Sequence, residues 1–430
     1  MTDGQRAALV VATLAVIGLT AVLGALATAV PADQSSEETR IRTADSFGAL
    51  HDRGLTGANV SVGVVDVTRF DTDAPALSGR IRAARAFGSG TVDTSGRTHG
   101  TAAATVVART APDSDLYLAT VGGIDGYERA VEWLTRRGVD VVVAPVSFYG
   151  RPGDGRGAVG EATERATGDG TVVVAPSGNL ARSHWEGRYD AATADNGTVQ
   201  FAGGDDRMAI DGPTEVTVWL SWDRAHGDED YTAELYRTDV NGSRLVARSQ
   251  PFRADGTPNE RIVAAVSPGR YALVVSGPPE PTGARVQLVT PRHDIEYARG
   301  RGSIVAPGTA PGALTVGAYS EQTGRVEPFS SRGPTADGRT GVDVVAPDRR
   351  YATLTDGGFV GSSAATPYVG GLVALLLQAD PSLTPAETEL LVERTARDIR
   401  QPGVDAASGH GVVRPVRAAA AADNATAAAG

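Results

Sequence analysis

Short apolar runs and helix-patterned stretches alternate along this chain, break off near residue 196 and resume near residue 313. The runs at 59–66 (NVSVGVVD), 115–121 (DLYLATV), 139–147 (VDVVVAPVS) and 171–176 (TVVVAP) are apolar almost throughout, the pattern of strands buried on both faces. Stretches of helical composition lie between them, at 101–109, 127–137 and 157–167. Such alternation predicts an α/β fold, a mostly parallel sheet covered by helices on both sides. From about 196 to 290 the period changes. Segments 215–222 (EVTVWLSW), 231–237, 244–249, 261–266, 270–276 and 285–290 read as short strands separated by turn clusters such as AHGDED and DVNG, the signature of an all-β sandwich. The α/β pattern then returns, with strands at 313–319 and 342–347 and helices at 364–378 and 384–398. The sandwich is therefore expected at 195–292, inserted as a separately folded accessory module. It divides the α/β domain into parts at 57–194 and 293–420. The Ala-rich end at 421–430 carries no apolar stripe and is expected to be a disordered tail.

Composition narrows the function classes. A chain of 430 residues is too long for one ordinary core and fits two compact domains. Its net charge of −11 argues against a nucleic-acid partner, which calls for a basic field. Every basic residue is Arg, which excludes Schiff-base lysine chemistry and a P-loop lysine. The absence of cysteine removes disulfides, thiol catalysis and Cys-ligated metal, so any covalent nucleophile is expected to be an oxygen. The acidic, Lys-free bias is compatible with a halophilic source. Residues 7–30 contain no charged side chain and match the length of a bilayer crossing, while ALATAVPA suits a signal peptidase. Residues 1–30 are thus read as an N-terminal membrane anchor or a cleaved signal peptide, and 31–56 as a polar linker. The bulk of the chain is expected outside the cell, secreted or anchored on the outer face of the membrane. Sequons begin at Asn196, Asn241 and Asn424.

Three residues stand at strand ends or helix starts, where an open α/β sheet forms its ligand crevice. Asp66 closes the run VGVVD, His99 sits in RTHGTAAATVV, and Ser363 opens the long helix in GFVGSSAATPYVGG. Each has a structural reading when taken alone: a loop cap, a helix-start histidine and an N-cap. A hydroxyl at Ser363 would also lie in the positive field of a helix N-terminus, which favours an oxyanion.

Taken in chain order, VGVVD with Asp66, THGT with His99, VVVAPSGN with Asn179 and GSSAATPYVGG with Ser363 resemble the subtilisin-like serine proteases, the subtilases. The segments SSRGPT at 330–335, VAP at 345–347, APDSDLY at 111–117 and GHGVV at 409–413 extend the resemblance, which covers 57–187 and 297–418 and skips the sandwich. It implies a serine endopeptidase acting on protein or peptide substrates, with Ser363 as nucleophile, His99 as general base and Asp66 orienting the imidazole. Asn179 would donate to the oxyanion. Ser147, Phe148, Tyr149 and Gly150 on one side, and Ser177 and Gly178 on the other, would flank the peptide. The resemblance implies no metal or cofactor for catalysis; it leaves room for structural calcium, which no sequence feature locates. The membrane would be met only through the N-terminal apolar segment, if uncleaved.

Several positions depart from the family pattern. Thr68 stands where the family usually has Gly, Ala102 where it has His, Ser362 where it has Thr, and Tyr368 where it has His. Tyr149 replaces a common Gly and is expected to narrow the primary pocket, which Pro176-Ser177 adjoins. Two other readings compete. One is a catalytically inactive surface or adhesion protein whose sandwich binds a ligand. The other is an esterase-type hydrolase, which would want a G-x-S-x-G elbow and the order Ser, Asp, His; neither fits Ser363.

Overall fold

A computed structural model describes residues 47–429 apart from Pro213, Asn241, 253–255 and Gln401. The apolar segment 7–30, most of the linker and the Asn241 sequon lie outside the described residues, as do the side chains of 424–429.

One eight-stranded sheet and seven helices form the α/β part. In chain order these are α1 (Phe47–His51), β1 (Ser61–Asp66), β2 (Ile81–Phe87), α2 (His99–Thr110), β3 (Asp115–Val121), α3 (Ile124–Thr135), β4 (Val141–Val143), α4 (Ala158–Gly168) and β5 (Val172–Pro176). After the inserted segment come β6 (Ala313–Ser320), β7 (Arg325–Val326), β8 (Val344–Pro347), α5 (Ser362–Ala379), α6 (Pro385–Thr395) and α7 (Pro415–Ala429). The sheet order is β7-β6-β5-β4-β1-β3-β2 with β8 beside β6, and only the β6–β7 pair is antiparallel.

Successive strand residues point to opposite faces, which explains the unbroken apolar runs. Val141, Val143, Val172 and Val174 enter a core shared with α2, α5 and α7. Val142 and Val173 enter the opposite core, with α3 and α4. The expected α/β/α layering is present. Because β1 is flanked by β3 and β4, the chain crosses over it, and its carboxyl end at Asp66 opens on the crevice where such sheets bind ligands.

Two segments read differently in the structure. β2 (IRAARAF) is an edge strand in which only Phe87 is buried, so its sequence carries no apolar run. The Ala-rich end is helical through Ala429, and Ala418, Ala419 and Ala422 are buried in the main core. Alanine has the highest helix propensity and lets helices approach closely, but it draws no stripe of large residues.

The inserted segment forms two antiparallel sheets. One orders Gln250–Pro251, Asn259–Ala265, Glu215–Trp222, Ala284–Val289 and His184–Tyr189; the other is built on Gly242–Arg248, Thr232–Asp239 and Gly269–Ser276. Both feed one apolar core, which includes Val216, Val218, Leu220 and Trp222 from the first and Leu235, Leu273 and Val275 from the second. The alternation in EVTVWLSW thus buries Trp222 and turns Trp219 the other way. His184–Tyr189 already pairs with Ala284–Val289, ahead of the expected start at 195. Its sequence HWEGRY buries Trp185 and Tyr189 around a half-exposed middle, too polar to read as a strand.

Candidate active site

The imidazole of His99, first residue of α2, lies against the end of β1. Its Nδ1 is 2.6 Å from Asp66 Oδ2. An ionised carboxylate only accepts, so Nδ1–H donates and Nε2 is left as the basic nitrogen. Asp66 is fully buried, and its other oxygen accepts from the backbone N–H and the hydroxyl of Thr68, both at 2.8 Å. The same hydroxyl accepts from Gly100 N–H at 2.8 Å, tying the strand end to the helix that carries His99. Burial pulls the His99 pKa down, but the charge and hydrogen bond of Asp66 outweigh it, leaving it raised above 6.5.

The N-terminus of α5 stands beside this pair. Phe359, in the approach to the helix, packs edge-on against the His99 ring with centroids 5.0 Å apart. Gly361 caps the helix at φ +93°, and a Cβ there would come within 2.7 Å of Asn179 Nδ2, so a side chain is doubly disfavoured. The first amides of α5 are disposed unevenly. Ser362 N–H donates to Asn179 Oδ1 at 3.0 Å, and the Ala364 and Ala365 amides donate to Gly361 O. Among the described residues the Ser363 amide has no acceptor, and its hydroxyl makes no hydrogen bond. Asn179 is exposed and presents its oxygen to the Ser362 N–H, and its amide nitrogen has no acceptor among the described residues. Two donors and a free hydroxyl therefore lie at one helix end, where a developing oxyanion is favoured.

Residues 297–411 match a family model described as the subtilase family. Over these residues the chain is similar to the subtilase family. Mycosin-1 of Mycobacterium tuberculosis is 38% identical to this chain over 125 residues, 25% of this chain and 26% of that protein. Subtilisin BL of Lederbergia lenta is 35% identical over 170 residues, 35% of this chain and 60% of that protein; the matches thus span less than two thirds of either relative. Among solved structures, the Clostridium perfringens CspB protease aligns with a TM-score of 0.62 at 17% identity, covering 86% of this chain and 94% of that one, a likeness of fold.

The flanking segments divide. Phe148 N–H is spent on Ala306 O at 2.9 Å, so the intervening edges at Ser147 and Tyr149 point the other way, and their backbone groups have no partner among the described residues. That is an open strand edge. Gly150 O accepts from Asn259 Nδ2 at 3.0 Å. Ser177 and Gly178 differ from expectation: Ser177 N–H and C=O pair with Val316 and Val305, and Gly178 O accepts from Ser331 N–H, while Gly178 N–H donates to Ser362 Oγ at 3.1 Å. Their hydrogen-bonding capacity is used within the protein, which leaves no edge for an added strand. Tyr149 packs with Trp219 against Leu180, Val289 and Val305, so its ring is held at the junction with the antiparallel sheets.

Sequence reasoning missed three supporting residues. Thr68 and Ser362 were visible as departures from the family pattern; Ser362 Oγ donates to Asn179 Oδ1 at 3.1 Å and so keeps that side chain oriented. Asp348, after β8, accepts from Gly361 N–H at 3.2 Å, and burial, then nearby Glu327, pushes its pKa up to about 6. The one group of three convergent carboxylates among the described residues is Asp343, Glu389 and Glu393. None of the three contacts Asp66, His99, Asn179 or Ser363, and no step proposed below passes through them.

Proposed function

We propose that this chain is a subtilisin-like serine endopeptidase. The observation that carries the reading is the His99–Asp66 pair beside a helix N-terminus with two unused donors and a free hydroxyl. Ser363 Oγ attacks the scissile carbonyl carbon while its proton passes to His99 Nε2. Asp66 holds the imidazole in the required tautomer and stabilises the imidazolium. The tetrahedral oxyanion accepts from Asn179 Nδ2 and Ser363 N–H. Collapse breaks the C–N bond, the leaving amine takes the His99 proton, and water repeats the sequence to free the acid and restore Ser363.

Peptide hydrolysis by the purified chain tests this directly. Ser363→Ala is expected to lose cleavage altogether. Asn179→Asp still accepts from Ser362 N–H but offers no amide donor, and kcat is expected to fall by about 10²–10³. Undiminished cleavage by Ser363→Ala would refute the assignment.

We further propose that the catalytic part works outside the cell, with residues 7–30 as the anchor or leader that takes it there. The support is their uncharged run; among the described residues no helix is long and apolar enough to cross a membrane. N-terminal sequencing of the protein from membrane and medium fractions checks this; full-length protein confined to the cytosol would contradict it.

A further inference from the structure

A cleft of about 780 Å³ begins at Val67, next to Asp66, and runs between the start of α3 and the open edge at Ser147–Tyr149. Its outer wall does not come from the α/β layers. Trp219, Phe252 and Arg261 of the antiparallel sheets supply it. Trp219 lies directly on the open-edged segment, since a Cβ on Gly150 would be 2.5 Å from Trp219 Cε3. Phe252 meets Trp219 edge-on, with centroids 4.9 Å apart. The Arg261 guanidinium stands over both rings, 5.1 Å from one centroid and 4.5 Å from the other.

This wall is fastened to the cleft floor. Asn259 Nδ2 donates to Gly150 O at 3.0 Å, Arg151 Nη1 donates to Thr257 Oγ1 at 2.8 Å, and Ser221 Oγ donates to Arg151 O at 3.4 Å. Arg261 is thereby held in place, and no carboxylate of the described residues lies within ion-pair distance of it. Across the cleft Arg129 spends its Nε on the backbone carbonyl of Asp125 at 3.1 Å and has no ion-pair partner among the described residues. The lining therefore holds two guanidiniums against one carboxylate, Asp125. Stacked guanidiniums with free N–H groups bind carboxylates well, since the rings fix the plane without consuming the donors.

We propose that the inserted sheets make this cleft a subsite for an acidic side chain, so that the enzyme prefers peptides with Asp or Glu at the position lying over Ser147–Tyr149. The proposal rests on the peptidase reading, in that the cleft is where the peptide lies. Its test separates the two. A peptide series with Glu, Gln, Leu or Arg at each position in turn is assayed for cleavage by the full chain and for equilibrium binding to Ser363→Ala. In low salt the Glu peptide is expected to be favoured over Gln by about fivefold at one position, with the preference shrinking in high salt. Arg261→Gln should bring Glu and Gln within twofold, and Arg261→Glu should favour the Arg peptide. Should Arg261→Glu fail to fold, Arg261→Gln and the salt dependence still decide. Cleavage and binding indifferent to charge at every position, or a Glu preference unchanged in Arg261→Gln, would overturn the proposal and leave the peptidase reading standing. Arg261-dependent binding of Glu peptides by a chain that cleaves none of them would support the subsite and overturn the peptidase reading.

Discussion

Thr68 occupies a position where the family usually has no side chain, and its hydroxyl joins two groups: it donates to Asp66 and accepts from Gly100 N–H. Thr68→Val keeps the volume and loses both bonds. With about 1 kcal/mol for each, kcat/KM is expected to fall about tenfold or more, whereas Thr68→Ser should stay near the parent; equal rates for the two variants would contradict this role. The pH profile carries a second expectation. His99 acts as a base only when neutral, and its pKa is raised, so kcat/KM should be low in acid and rise through an apparent pKa above 6.5. A midpoint well below that value would count against the Asp66 pairing. That Asp66 would meet His99, and Asn179 the helix end that carries Ser363, could be anticipated from the sequence because each residue sits in a short motif. The use of Thr68, and the saturation of Ser177 and Gly178, could not be read there, because their partners Gly100, Val316, Val305 and Ser331 arrive only with the tertiary fold.

Among the elements, α5 carries Ser363 in its first turn and crosses the core at two glycines. A Cβ on Gly371 would lie 1.8 Å from Thr110 Oγ1 of α2, and one on Gly370 would lie 2.2 Å from Val143 Cγ2 of β4. Alanine is the better helix former by about 1 kcal/mol, yet Gly371→Ala is expected to destabilise by about 1–3 kcal/mol through overpacking. Thr110→Ala in the same chain should recover part of the loss, and denaturant melts of the two single variants and the double variant measure it. A more stable Gly371→Ala would refute the packing argument. β1, β3, β5 and α5 were legible because both faces of the sheet are covered and the runs are uniformly apolar. β2, His184–Tyr189 and α7 were not, for distinct reasons: an edge strand keeps polar side chains, a strand with two inward aromatics lacks a period, and an alanine face buries without bulky residues.

Over the whole molecule, the inserted sheets are joined to the α/β part through the loop after Tyr149, by the Asn259, Arg151 and Ser221 bonds and by the Arg224–Asp154 pair at 3.3 Å. Elsewhere, burial and neighbouring Glu389 push Asp343 up to about 8, while burial and Glu393 push Glu389 up to about 7. The folded protein therefore holds protons that the unfolded chain releases near pH 4. Stability should fall as pH rises from about 4 to 8. Asp343→Asn still accepts from Thr315 N–H and should raise the melting temperature at pH 8 by on the order of 3 °C, in chelator-treated protein, with little change at pH 5. A lower melting temperature at pH 8 would contradict this. The central claim is that strand end, helix start and helix N-terminus assemble one nucleophilic site. Its most direct measurement is mass-spectrometric mapping of a fluorophosphonate adduct. The adduct is expected on Ser363 alone, slowed by His99→Ala and absent from Ser363→Ala. An adduct on another residue, or no adduct on the folded parent chain, would contradict the account.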